Sequence, residues 1–323
     1  MSKAKVLLIL GPTASGKTDL AMQVADQVDA RLISVDSALI YRDMNIGTAK
    51  PSELELRKYP HDLVDIIDPT ESFSVAQFID RAKDSIEQAV SENKLPVLVG
   101  GTMLYFKGLI EGLSDVPEAD LAERAKIEAE AKELGWPAMH AQLAELDPDS
   151  AARIDPNHSH RIGRALEVCR SSGLTMTELL DRPSSRGYRP LTENYDLYQI
   201  GLKPSDRADL HKRIDTRFEQ MLQAGFIEEV EELKAKYPLT AEHASMRCVG
   251  YRQAWQYLEQ DFDKLELVER GQAATRQLAK RQLTWMRKWP DLNLLSVDYN
   301  QEKSRTNAEL TQATLNCLNS ELC

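Results

Sequence analysis

Nothing in this chain approaches the roughly 18 consecutive apolar residues that a membrane-spanning helix requires. The one apolar run near its start, Val6 to Leu10, is short and is followed by no small-residue cleavage site. These absences argue against a membrane partner and a secretory leader, and the expected location is the cytoplasm. Cysteine is also scarce. Cys169, Cys248, Cys317 and Cys323 are scattered without a Cys-x-x-Cys pair, which argues against a disulfide framework and a zinc site. Cys248 is therefore read as a small packed residue rather than a nucleophile. No internal repeat and no low-complexity block interrupts the 323 residues, which suffice for one large domain or two ordinary ones.

Positive charge is in deficit, at 40 Lys and Arg against 51 Asp and Glu, and a formal net charge of −11 argues at first against a polyanionic partner. Distribution qualifies that argument. Acidic residues concentrate in Glu118 to Glu133 and Glu228 to Glu232, which read as solvated helix faces, whereas several short stretches are strongly basic.

Among the features present, Gly11-Pro12-Thr13-Ala14-Ser15-Gly16-Lys17-Thr18 directly after Val6 to Leu10 is the most informative. It fits the P-loop pattern G-x-x-x-x-G-K-[ST] in its required strand-to-helix context. Gly11 and Gly16 let the backbone turn tightly enough for its N–H groups to face phosphate oxygens, and the following helix presents its positive N-terminus to the same anion. Lys17 adds a full charge, and the Thr18 hydroxyl is suited to magnesium. A nucleoside triphosphate or a pyrophosphate ester satisfies these donors equally.

Strand and helix alternate through the first hundred residues, as in a parallel α/β domain. Strands are expected at Lys5 to Leu10, Arg31 to Val35, Leu63 to Ile67 and Pro96 to Val99, with helices from Gly16 to about Val28 and from Ser74 to Glu92, Ser74 serving as N-cap. From about Asp115 the strand signal stops. Helices broken at Gly135-Trp-Pro137, Asp147-Pro148 and Asp155-Pro156 occupy Glu118 to Gly173. A Pro, Ser and Arg-rich passage, Arg182 to Pro190, precedes a returning strand at Tyr195 to Leu202. Helices then follow at Ser205 to Leu222, Ile227 to Lys236, Gly250 to Leu258 and Leu265 to Lys288, with a short strand near Leu294 to Val297 stopped by polar residues 300–304. The expected organisation is a P-loop α/β core of residues 1–114 and 195–300, a helical insertion of residues 115–194, and a peripheral tail, 301–323, with room for one last helix.

Ligands bind beyond the carboxyl ends of strands in open parallel sheets, which directs the P-loop, Asp36 and Thr102 to one crevice. Asp36 there has two open roles, holding magnesium through water or taking a proton from a substrate. Many P-loop phosphotransferases place a metal-holding Asp at the end of the apolar run that here reads Val99-Gly100-Gly101-Thr102. Its absence weakens a kinase or ATPase reading. Arg276, Lys280, Thr284 and Arg287 fall on one helical face near Trp285 and Trp289, suiting either phosphate tracking or a solvated surface.

Six segments taken together are specific: the P-loop, Ser34-Val-Asp-Ser-Ala-Leu-Ile-Tyr-Arg42, Ile46-Gly-Thr-Ala-Lys-Pro51, Gly100-Gly-Thr-Met-Leu-Tyr105, Arg247-Cys-Val-Gly-Tyr-Arg252 and Lys280-Arg-Gln-Leu-Thr-Trp285. In order and spacing, from the P-loop to about Trp289, the chain resembles the tRNA dimethylallyltransferase family of bacterial isopentenyl transferases. The resemblance implies transfer of a dimethylallyl group from dimethylallyl diphosphate to the exocyclic amine of the adenosine 3′ of the anticodon, with release of pyrophosphate. It implies that Asp36 is the general base. Lys17, Thr18 with magnesium, Thr13 and the loop amides would stabilise the leaving group, and Arg217 is a further candidate, a surface i,i+4 pairing with Arg213's turn being the alternative.

By the same resemblance the anticodon stem-loop would contact Asp36, Ser37, Ala38 and Leu39, Thr102, Arg124, and His160, Arg161, Ile162, Gly163 and Arg164. It would also contact Arg247, Cys248, Val249, Gly250, Tyr251 and Arg252, and Lys280, Arg281, Gln282, Leu283, Thr284, Trp285, Met286 and Arg287. The insertion becomes a clamp over the loop, and a monomer is expected. Leu39 stands where some family members carry Gln, which puts a polar contact to the base in doubt. No closely spaced cysteines follow Cys248, so the zinc finger of larger relatives is not expected. The runner-up is a P-loop kinase of a small nucleotide or metabolite. A transferase acting on free adenine nucleotides would not need the basic surfaces, and a non-catalytic tRNA-binding protein would not need Lys17, Thr18 and Asp36 around one crevice.

Overall fold

The computed structural model describes residues 3–114, 116–182, 189–297, 299 and 307–319. The chain divides into two compact units, Met1–Ile110 with Leu191–Cys323, and Glu111–Pro190.

The first unit begins with β1 (Ala4–Leu10), α1 (Lys17–Ala25), β2 (Ala30–Val35), α2 (Glu53–Lys58), β3 (His61–Asp62), α3 (Val75–Ser91), β4 (Leu95–Gly100) and α4 (Met103–Glu111). After the second unit, comprising α5 (Leu121–Leu134), α6 (Trp136–Leu146), α7 (Pro148–Arg153), α8 (Ser159–Ser172) and α9 (Met176–Asp181), it resumes with β5 (Tyr195–Pro204), α10 (Arg207–Gln223) and α11 (Phe226–Lys236). It closes with α12 (Tyr251–Leu258), α13 (Lys264–Met286), β6 (Asn293–Val297) and α14 (Asn307–Asn319). Six strands form one sheet in the order β3-β2-β4-β1-β5-β6, and every pairing among them is parallel. β1 lies between β4 and β5, so both its edges are paired, and Val6 to Leu10 are completely buried, which shows both its faces covered. Ser74 caps α3 in a reciprocal box with Gln77, which fixes the start of that helix.

Register sets the site. Leu10 of β1 and Val35 of β2 both pair with Gly100 of β4, so three strands end at one level. The P-loop, Asp36 and Gly101-Thr102 therefore leave the sheet side by side. A side chain at Gly100 is incompatible with this closeness, because its Cβ would lie 2.0 Å from the Val35 carbonyl oxygen.

Several elements differ from the sequence reading. The strand expected at Leu63 to Ile67 is a turn, because Leu63 and Asp65 adopt positive φ of 64° and 56°; β3 lies just before it, and Ile67 makes only a bridge to Tyr41. The tail, read as peripheral, contains α14, which packs Leu310 and Leu318 with Leu20 and Val24 of α1 in the sheet's main core cluster. Leu310, Thr314 and Leu318 recur every four residues and are all buried, a single inward helix face. The polar stop at 300–304 and positions 183–188 of the Pro-rich passage lie outside the described residues.

The second unit is helical around Ile127, Met139, Leu143, Ile162 and Leu166, all fully buried. Glu167 is also fully buried, and its carboxylate accepts hydrogen bonds from Arg124, Arg164 and the Asp120 amide. Ile162 is thus core rather than an RNA contact, and Arg124 and Arg164 are tied to an internal carboxylate. His160 and Arg161, by contrast, are exposed.

Candidate active site

Two cavities, each of about 590 Å³, meet beside the P-loop. Both are lined by Lys17, Thr18, Ala49, Pro51 and Arg217. The first continues past Asp36, Thr102 and Arg247 and mixes polar side chains with an apolar wall that includes Ile214, Phe218 and Met221. The second continues past Ala14, Ser15, Gly16, Lys212 and Arg213 and is predominantly polar.

Helix α10 separates the two. Ile214, Phe218 and Met221 face the first cavity, Arg213, Thr216 and Gln220 face the second, and Arg217 belongs to both. The Arg217 guanidinium donates to the Thr13 hydroxyl, and Arg213 Nε donates to the Ala14 carbonyl at 3.1 Å. Both arginines therefore hold the P-loop. Arg213 is a contact that the sequence reading left aside, although its spacing of four from Arg217 placed both on one face.

The P-loop is held from the other side by Gln282. Its Oε1 accepts from the Thr13 amide at 2.8 Å and its Nε2 donates to the Gly101 carbonyl at 2.9 Å. Gln282, expected at RNA, is almost wholly buried and spends its amide joining the loops after β1 and β4. The Thr13 amide is accordingly already bonded, so Thr13 faces an anion with its hydroxyl rather than its N–H. Gly16 adopts φ of 86° and Ala14 φ of 63°, the second uncommon for a residue with a side chain.

Asp36 Oδ1 accepts from the amides of Ala38 at 2.8 Å and Leu39 at 3.4 Å, which closes the turn after β2 and fixes the carboxylate's direction. Among the described residues no protein group donates to the other oxygen. Thr102 Oγ1 accepts from the Ser37 amide at 3.0 Å and lies 3.3 Å from Ser37 Oγ, tying the β2 and β4 ends together. Burial pushes the Lys17 ammonium down to about 8; Asp36 opposes that fall and Arg217 adds to it. Burial likewise lowers Arg217. Burial, then the charge of Asp36, raises the Cys248 thiol to about 12, which keeps it protonated and agrees with a packed residue.

Lys17 carries its charge below about pH 8 and loses it above. Affinity for inorganic pyrophosphate is therefore expected to fall by up to roughly tenfold per pH unit above that midpoint, relative to Lys17→Arg, which stays charged throughout. Calorimetric titrations between pH 7 and pH 9.5 check this. Parallel curves for the two proteins would show that Lys17 does not titrate at the site.

Other expected contacts are placed differently. Arg247, Cys248, Val249, Arg281 and Trp285 line the first cavity together with Ser37, Ala38 and Leu39. Tyr251 is completely buried and donates to Glu229, Met286 is buried, and Leu283 packs on the cluster around Ile214. Gly250 at φ 90° begins α12 and acts through its backbone. Arg276 pairs with Asp215, and the Arg287 guanidinium donates to Thr284 at 3.0 Å. The stripe from Arg276 to Arg287 is distinct from the cavity-lining positions Thr275, Leu278, Gln282 and Trp285 on the same helix.

Glu229 is the largest omission from the sequence reading, which assigned it to a solvated face. It is buried and accepts from the amides of Asn45, Ile46 and Gly47 at 2.9, 2.6 and 3.2 Å and from the Tyr251 hydroxyl. It thereby anchors the segment whose Gly47 and Thr48 wall the first cavity and whose Ala49 and Pro51 wall both.

The sequence model described as IPP transferase matches residues 39–289. Among solved structures, the full-length tRNA isopentenylpyrophosphate transferase of Bacillus halodurans is 34% identical with a TM-score of 0.68, over 98% of this chain and 97% of that one. The tRNA delta(2)-isopentenylpyrophosphate transferase of Staphylococcus epidermidis is 30% identical with a TM-score of 0.68, over 98% and 99%. A eukaryotic dimethylallyltransferase acting on tRNA is 25% identical with a TM-score of 0.77, over 97% of this chain and 78% of that one.

Proposed function

The chain belongs to the IPP transferase family, and from that premise we propose that it takes its prenyl group from dimethylallyl diphosphate and places it on N6 of the adenosine 3′ of the anticodon. It is a prenyltransferase that modifies tRNA. The observation that carries the finer reading is the junction of two cavities at Lys17, Thr18 and Arg217, with Asp36 lining the one that continues to Arg247 and Trp285. The diphosphate occupies the polar cavity, the flipped adenine enters the other, and the allylic carbon lies where they meet.

An aromatic amine is a weak nucleophile, so positioning and leaving-group stabilisation supply most of the acceleration. As the allylic C–O bond breaks and the C–N6 bond forms, negative charge accumulates on the departing pyrophosphate. Lys17, Arg217 and the N-terminal amides of α1 face that charge. Thr18 lines both cavities, and its hydroxyl would hold a magnesium ion, which would neutralise the leaving group further. The proton released from N6 passes to the free oxygen of Asp36. A single-stranded anticodon loop lowers the cost of extruding the base. Exposed Arg161 in the second unit, and Arg247, Arg252 and Arg281 in the first, supply cations for the RNA backbone that the net charge of −11 conceals. The protein acts as a cytoplasmic monomer.

Incubating the protein with an anticodon stem-loop and either dimethylallyl diphosphate or ATP, then weighing the RNA, tests this reading. The expected product carries one dimethylallyl group and appears only with the allylic donor. Unmodified RNA alongside phosphorylation of a small acceptor would replace it with the kinase reading.

A further inference from the structure

The allylic carbon is bonded to the diphosphate, so the prenyl tail must leave the junction at Lys17 and Arg217 along an apolar wall of the first cavity. α10 provides that wall. Ile214, Phe218 and Met221 lie one turn apart on the helix that carries Arg217, and all three line this cavity. Phe218 is only 3% exposed, and its ring edge is lodged against α13 where that helix has Gly271. A Cβ on Gly271 would lie 2.0 Å from Phe218 Cζ, so the missing side chain makes the seat for the ring. Phe226 meets the ring edge-on with centroids 6.3 Å apart and closes the seat from the side. The ring thus fills a notch that would otherwise prolong the cavity between α10 and α13.

We propose that Phe218, held in the notch at Gly271, is the stop that limits the donor to a five-carbon chain. The inference rests on the reading above that the donor is an allylic diphosphate bound at the P-loop. Removing the phenyl group takes away six carbons, and one additional isoprene unit brings five, so Phe218→Ala opens space of the size geranyl diphosphate needs. The bond changes are those of the transfer proposed above: C–O breaks at the allylic carbon, C–N6 forms, and the proton leaves to Asp36. Chain length enters only through the fit of the tail.

The test measures kcat/KM for dimethylallyl and geranyl diphosphate with one anticodon stem-loop. Wild type should use the shorter donor. Phe218→Ala should raise the geranyl-to-dimethylallyl ratio on the order of 100-fold, the size expected when a hydrophobic pocket gains or loses a few carbons. Phe218→Leu, which keeps more of the packing, should raise it by about tenfold and keeps the proposal testable if the alanine variant does not fold. An unchanged ratio in folded Phe218→Leu or Phe218→Ala overturns the stop. Should wild type transfer neither chain to RNA, the proposed donor is wrong and this inference falls with it.

Discussion

Asp36→Asn is expected to lower the rate of prenyl transfer by roughly 10²- to 10⁴-fold, the contribution of a positioned general base, while RNA binding is retained. Asparagine is the informative replacement. Its carbonyl oxygen can still accept from the amides of Ala38 and Leu39, so the turn after β2 keeps its form and the loss reports the missing base. Single-turnover rates with the RNA stem-loop check this, and a variant retaining more than half the wild-type rate would remove Asp36 from proton transfer. A second consequence separates charge from shape. Asp36 is the group that holds the Lys17 ammonium up against burial, so its neutralisation moves the Lys17 midpoint further below about 8. The pH at which pyrophosphate binding weakens should therefore move down in Asp36→Asn, although no turn contact has changed.

The chemistry-bearing ends of the strands were legible in the sequence because each is written in adjacent residues. A P-loop needs its glycines, lysine and threonine at fixed offsets, and Asp36 and Gly100-Gly101-Thr102 follow their strands directly. The sheet's register then brings them together, since Leu10 and Val35 share the partner Gly100. Helix boundaries set by caps and prolines were legible for the same reason. Glu229 and Gln282 were not, because their partners lie 182 and 269 positions away in the chain, at Gly47 and Thr13. A glutamate in Ile227-Glu-Glu-Val-Glu-Glu-Leu looks like its neighbours until the fold places three amides against it. The long helix shows the limit of periodicity. Its charged stripe begins at Arg276 and the cavity face at Thr275, one residue or about 100° around the axis, so charge spacing marked a face other than the one that lines the cavity.

Glu229→Ala should destabilise the protein by about 3–5 kcal/mol, the size expected when a buried charged partner is removed and the groups it satisfied stay behind. Four donors lose their acceptor: the amides of Asn45, Ile46 and Gly47 and the Tyr251 hydroxyl. Water cannot readily replace the carboxylate, because Glu229 is only 8% exposed and Tyr251 is completely buried beneath Phe226, with ring centroids 5.0 Å apart. Gly47 has no room to move inward, since a Cβ there would already lie 2.1 Å from the Phe226 ring. Glu229→Gln should cost less but not recover wild type, because its amide nitrogen is a donor and would face donors. Glu228→Ala, on the solvent side of the same helix, serves as the control, with an expected change within about 0.5 kcal/mol. Denaturant unfolding of the three variants measures these differences. The folded fraction of Glu229→Gln should also need more donor for half-maximal rate, because the segment Glu229 anchors supplies Ala49 and Pro51 to the walls of both cavities. A stability loss for Glu229→Ala no larger than that of Glu228→Ala would show that the segment holds its shape without the carboxylate.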